Sequence, residues 1–289
     1  MTLRDDSDLE TLAEERQPVT EGGARQAPVK HRPRMKLSVM HPGSLAALGG
    51  VAILTLWQIL VSVGFMPRIL LPPPSSIASA FFATITESFF YRHLWTTFFE
   101  VITGYAIGAS VGFVLGIFLG ISPLAKRVAR PYVVAFQGLP KVVFAPLFVT
   151  LFGFGLLPKT LMAAAISFFP ILINTEAGMT SVDPEARRLM GSMNASKKDT
   201  FFKLLLPHSL SMVFAGLKTG LTLALVGAIV GEFFGASIGL GYLLQLYTYQ
   251  LQVSRVWAIT AVLAIMGVVL FQLVEMIHRK VVFWEFQRT

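Results

Sequence analysis

Residues 181–207 read SVDPEARRLMGSMNASKKDTFFKLLLP, a polar, basic stretch between two apolar segments. Asp183 is suited to cap a helix with Pro184 at its first position, where a missing N–H does no harm. The helix runs from Glu185 to Met193 and ends at Asn194, a residue that tolerates the left-handed conformation of helix ends. Ser196 and Asp199 are spaced as a capping box for a second helix. In that helix Phe201 with Leu205, and Phe202 with Leu206, fall at i and i+4 until Pro207 interrupts. The pattern predicts helix, sharp turn, helix. A plain basic loop lying on anionic lipid is the alternative, but such a loop has no need of capping chemistry at two helix starts. A folded elbow between apolar segments suits the transfer of force or information to a soluble partner.

The flanking segments set the fold class. Of 289 residues 54% are hydrophobic and 14% charged, against about 25% charged in soluble domains. Apolar runs long enough to cross a bilayer occur at 44–66, 96–120, 132–152, 156–177, 211–235 and 257–277. These predict an all-α integral membrane protein with six transmembrane helices in a domain over 44–280. The elbow then occupies the loop 178–210. With the N-terminus inside, the inner segments carry 18 Lys and Arg against four in the outer ones, Arg68, Arg92, Lys159 and Arg255. The positive-inside rule therefore puts both termini and the elbow in the cytosol. Residues 1–43 mix acids, bases, Pro and Gly and are expected to be a disordered cytosolic tail, with 281–289 a second one. Pro72-Pro73-Pro74 stops one element, and Ser75 or Ser76 is placed to cap a helix reaching about Phe90 in the outer interface. The net charge of +8 sits between apolar blocks and not in an aromatic-laced stripe, which argues for lipid contact and against nucleic acid.

Within the spans, Gly104, Gly108, Gly112, Gly116 and Gly120 recur every fourth residue, and Gly216 and Gly220 begin a similar row. Such rows let helices approach closely; they serve packing, or sliding during transport, and the sequence leaves both open. Lys141 and Lys218 lie inside spans, and Glu232 near the end of one. Intramembrane ionisable groups are candidates for a solute path, with Thr219, Thr222, Ser167 and Asn174 as weaker lining candidates. For the lysines the alternative is snorkelling to the inner headgroups; for Glu232 it is a hydrogen bond across a helix contact. The glycine-rich GASIGLG from Gly235 reads as a turn. Cysteine is absent and the five histidines lack metal-ligand spacing, so thiol catalysis is excluded and no metal site or catalytic residue is expected.

The elbow resembles the cytosolic loop of bacterial ABC-importer permeases, whose pattern is Glu-Ala-Ala, three residues, Gly, then Leu-Pro 12 and 13 residues later. Here Leu206-Pro207 follow Asn194 at that distance, so Asn194 takes the Gly place and Arg188-Leu189-Met190 the Glu-Ala-Ala places. Both are departures from the pattern. AGLKTGLTLALVGAIVGEFFGASIGLGYLL from Ala215, FQGLPKVVFAPLFVTLFGFG from Phe136, SFFPILINT from Ser167 and LPPPSSI near Leu71 are similar to permeases of the nitrate/sulfonate/taurine type. The resemblance covers about 44–280 and implies a type I importer fold in a bacterial inner membrane, working as a homodimer. It also implies ABC ATPase subunits that bind ATP and Mg, an extracytoplasmic solute-binding protein, and no cofactor on this chain. It assigns ATPase coupling to Asp183, Arg187, Arg188, Met190, Gly191, Met193, Asn194 and Ser196. The solute would be a small anion such as a sulfonate, or a pyrimidine or aromatic compound. The alternative is an ion-coupled secondary transporter that uses Glu232, Glu100 or Lys218 as its coupling group.

Overall fold

The computed structural model describes residues 42–67 and 70–286, and their regular structure is helical throughout. The chain divides at Gly49–Gly50 into two units, and the second, to Thr289, holds the bundle. Helix α1 covers Pro42–Ser62. Helix α2 (Pro74–Thr86) starts from Pro73 with Pro74 at its first position, and no side chain caps it. Ser76 Oγ instead donates to the Pro73 carbonyl (2.9 Å). The helix stops at Glu87, short of the expected Phe90, and α3 (Ser88–Ile121) begins at once. At 34 residues, α3 is about 51 Å long.

A broken pair follows. Helix α4 (Pro123–Gly138) and a 3₁₀ turn at Lys141–Val143 lead into α5 (Phe144–Phe152), with a bend of 80°. Helix α6 (Leu156–Thr180) ends at the elbow, which contains α7 (Pro184–Ser192) and α8 (Lys197–Thr200). A π turn, Phe201–Leu205, runs without interruption into α9 (Leu206–Gly235). Then come α10 (Leu240–Tyr249), α11 (Val253–Val281) and the short α12 (Phe283–Phe286).

Four described helices are long and apolar enough to cross a membrane, and the bent pair makes a fifth if it is one span. Of the six expected crossings, the third is this broken pair. The first corresponds to α1, whose described apolar stretch, Leu48–Ser62, is shorter than a full crossing. Residues 1–41 and 287–289 lie outside the described residues, as do the expectations placed on them. Within the expected C-terminal tail, Phe283–Phe286 is helical.

Pro207 does not end the second elbow helix as expected. A proline ring collides with the carbonyl four residues back and offers no N–H. The π turn just before it widens the helix there, and Leu206 N–H closes onto the Phe201 carbonyl. Helix is thereby continuous from Lys197 to Gly235.

Helix α6 is the centre of the bundle, gripped by both glycine rows. Gly104, Gly108, Gly112, Gly116 and Gly120 of α3 face Ala163, Ala164, Ile171, Thr175 and Met179 on one side of α6. Gly216, Gly220, Gly227 and Gly231 of α9 also close on α6, at Asn174, Ile171, Ala163 and Lys159, so that Ala163 and Ile171 meet both rows. A Cβ on Gly104 would sit 2.5 Å from Ala163 Cβ and 2.6 Å from the Thr160 carbonyl oxygen. Backbone atoms cannot yield as a flexible side chain can. Gly104→Ala should therefore destabilise the solubilised protein by about 1–3 kcal/mol, the range for overpacking, read as a lower melting temperature in detergent. Gly138→Ala, with nothing within 4 Å of its would-be Cβ, should leave melting unchanged.

Candidate functional site: the elbow, the broken helix and a buried ionic cluster

The elbow is built by local chemistry. Asp183 Oδ1 accepts from Glu185 N–H (2.8 Å). At the other end of α7, Ala195 N–H reaches the Met190 carbonyl and Asn194 N–H the Gly191 carbonyl, both at 3.0 Å. With Asn194 at φ 53°, this is a Schellman closure with asparagine in the left-handed place glycine usually takes. Ser196 Oγ accepts from Asp199 N–H (3.1 Å) and donates to Asp199 Oδ2 (2.5 Å). Lys203 pairs with Asp199 at 2.6 Å.

The elbow is also fastened to the bundle. Val182 and Leu205 are buried with Met179, and Ile117, Phe201, Leu204 and Leu206 pack around them. Arg187 Nη2 donates to the Met179 carbonyl (2.7 Å). Arg187 is thus partly committed to holding α7 on the end of α6. Arg188, Gly191, Asn194 and Ser196 are exposed, as are Leu189 and Met193 at 61% and 69%, while Met190 is half-buried. Two exposed apolar side chains on a short, capped, anchored helix make a rigid knob.

The second constellation joins α3, α6 and α9 at the end of α9 away from the elbow. Glu100 and Glu232 are fully buried and Lys159 nearly so. Lys159 Nζ lies 2.8 Å from Glu100 Oε1, and Glu232 is within electrostatic reach of both. Glu232 Oε1 accepts from Thr97 Oγ1 (2.5 Å), and Oε2 accepts from Gly241 N–H (2.5 Å) and Tyr242 N–H (3.2 Å), the opening turn of α10. Thr97 Oγ1 in turn accepts from Leu240 N–H (2.7 Å), and His93 Nδ1 from Gly239 N–H (3.0 Å). GASIGLG is thus a turn, as expected, with Gly239 at φ 139° and no room for a Cβ against the Glu232 carboxyl.

This geometry gives two of the lysines specific surroundings. Lys159, counted with the outer segments, is buried in the first turns of α6, because the helix starts at Leu156 and carries Pro158 in its opening turn. Lys218 is held in the bundle: it pairs with Glu275 of α11 and lies 2.9 Å from His278 Nδ1, while Arg279 joins Glu275 at 2.8 Å. Thr219 and Thr222 donate to carbonyls of their own helix, at Ala215 and Lys218. Asn174 donates to the Pro170 carbonyl, and Ser167 to Ala164.

Lys141 sits at the bend between α4 and α5. Its Nζ donates to the Gln137 carbonyl (3.2 Å) and lies 5.1 Å from the Phe169 ring centroid. Of the residues singled out from sequence, the elbow set stands together on α7 and its turns. Lys141, Lys218 and Glu232 lie on three separate constellations. Sequence reading missed the Lys159–Glu100 pair and the ion network on α11, whose partners come from distant parts of the chain.

Residues 112–283 match the family described as a binding-protein-dependent transport system inner membrane component. The chain belongs to this family. It is the membrane permease subunit of an importer of the ABC class. A formylaminopyrimidine transport permease protein of Halalkalibacterium halodurans is 30% identical over 80% of this permease and 92% of that protein. A riboflavin transport system permease protein of Chloroflexus aurantiacus is 30% identical over 81% and 87%. A taurine transport system permease protein of Escherichia coli is 25% identical over 84% and 88%. In fold, the permease is similar to a chain of the inward-facing MetNI methionine ABC transporter, with TM-score 0.55 and 18% identity over 66% of this chain and 94% of that one.

Proposed function

We propose that this permease works as one of two copies, driven by a soluble ATPase that docks on α7, and imports a small organic solute by alternating access. The observation that carries the reading is the elbow. Exposed Leu189 and Met193 project from a helix capped at both ends and pinned to α6 by Arg187 and the Val182–Leu205 core. A helix so fastened passes a push on its outer face to the ends of α6 and α9, whereas a loose loop would absorb it. ATP and Mg belong to the partner in this reading, and the elbow faces the cytosol. Transport permeases for formylaminopyrimidine, riboflavin and taurine among the relatives support a small organic solute delivered by a binding protein. An ion-coupled mechanism through Lys218 or Glu232 draws less support, because both groups are engaged within the bundle.

The test is purification of the chain from native membranes in mild detergent with identification of what accompanies it. A near-stoichiometric ATPase is the expected result. Leu189→Asp/Met193→Asp should then release it at least tenfold more readily, since an uncompensated charge in an apolar contact costs more than about 1.4 kcal/mol per site. Recovery of the wild-type chain alone would overturn the reading.

A further inference from the structure

We propose that Lys141 is the solute-facing cation of the transport path and takes an anionic group of the solute, a sulfonate, carboxylate or phosphate; this rests on the importer reading above. Between α4 and α5 the chain turns by 80° within a helix pair that is apolar enough to cross a membrane. Gly138, Leu139 and Pro140 at the bend are exposed. Pro140 has no N–H to give. Irregular backbone is not tolerated against lipid tails, where its polar groups find no partner; it survives only against protein or water. The exposed side of this bend therefore faces a second protein surface, a water-filled path or the headgroup layer.

Lys141 stands at that place, and its partners are telling. Two other lysines, both largely buried in the bundle, have carboxylates: Lys159 has Glu100, and Lys218 has Glu275. Among the described residues no carboxylate pairs with Lys141. Its ammonium has the Gln137 carbonyl and the face of Phe169, which position a cation without neutralising it. The side chain is only partly covered. An un-neutralised ammonium at an exposed, irregular bend is matched by an anion from outside the chain. The headgroup phosphate of a lipid offers the same chemistry, so the sources are separated by the side from which the site is reached.

The chain contains no cysteine, so Leu139→Cys places a single thiol beside Lys141. Right-side-out membrane vesicles carrying the full complex are loaded with ATP and vanadate. An anionic sulfonatoethyl and a cationic trimethylammonioethyl methanethiosulfonate are then added outside, and modification is read on this chain alone. The anionic reagent should react faster by on the order of tenfold. Adding Lys141→Met should bring the ratio near one, and Lys141→Arg should keep it. No reaction from outside, with reaction once the vesicles are opened, would put Lys141 at the inner headgroups and overturn the proposal. A ratio indifferent to Lys141→Met would overturn it as well. Nucleotide trapped in the same vesicles tells the two readings apart. Trapping with the wrong labelling sinks the Lys141 assignment alone, and no trapping sinks the importer reading and this one with it.

Discussion

Lys159→Met should lower the stability of the solubilised protein by about 3–5 kcal/mol, the range for stripping a buried charge of its partner. The ammonium lies 2.8 Å from Glu100 Oε1, with the two side chains 6% and 0% exposed. Glu232 shares the site. Removing the ammonium leaves two carboxyl groups facing each other with no water to screen them. Methionine fills much the same volume, so the loss is one of charge pairing and not of packing. Glu100→Gln/Lys159→Met should recover more than half of the deficit, because the pair is removed together while Glu232 keeps its own donors. The measurement is the melting temperature and the monodisperse fraction after heating in detergent, since membrane proteins often unfold irreversibly. A double variant no more stable than Lys159→Met would show that the pair is not the source of the effect.

The elbow was legible because its signals are local. Asp183, Pro184, Asn194 and Ser196 each act on backbone within a few residues, and each cap forms as its spacing predicts. The ionic cluster was not legible. Glu100 and Lys159 stand 59 residues apart, and a lysine after a proline at the head of an apolar run reads as a loop. Hydropathy sums also ignore direction, so 132–152 reads as one span although Gly138-Leu139-Pro140 marks the place where it turns. Pro207 misled in the opposite sense. Proline predicts a break, and one wide turn before it keeps the helix whole. The glycine rows gave the spacing of close contacts; that both close on α6 depends on the tertiary arrangement.

Glu232→Ala should have the second large effect, and on transport more than on assembly. The carboxylate receives three donors, from Thr97, Gly241 and Tyr242. Alanine leaves all three without that acceptor in a site that excludes water, and each unsatisfied donor costs about 1–3 kcal/mol. The terms do not add in full, because Thr97 can turn its hydroxyl toward the His93 carbonyl 3.3 Å away. A net loss of about 3 kcal/mol follows. It falls on one place, the turn from Gly235 to Gly239 and the start of α10, which side chains of α3 and α9 hold in register. The bundle should still assemble around α6, whose glycine contacts are untouched, while uptake driven by ATP falls by more than about tenfold. Glu232→Gln keeps an oxygen for Gly241 and Tyr242 and should lose no more than about 1 kcal/mol. Proteolysis or thiol labelling at Ser237→Cys reads the turn directly. Faster labelling in Glu232→Ala than in Glu232→Gln, with equal yields of folded protein, locates the damage at the turn. Equal labelling with a collapsed yield would instead make Glu232 a residue on which the whole bundle depends.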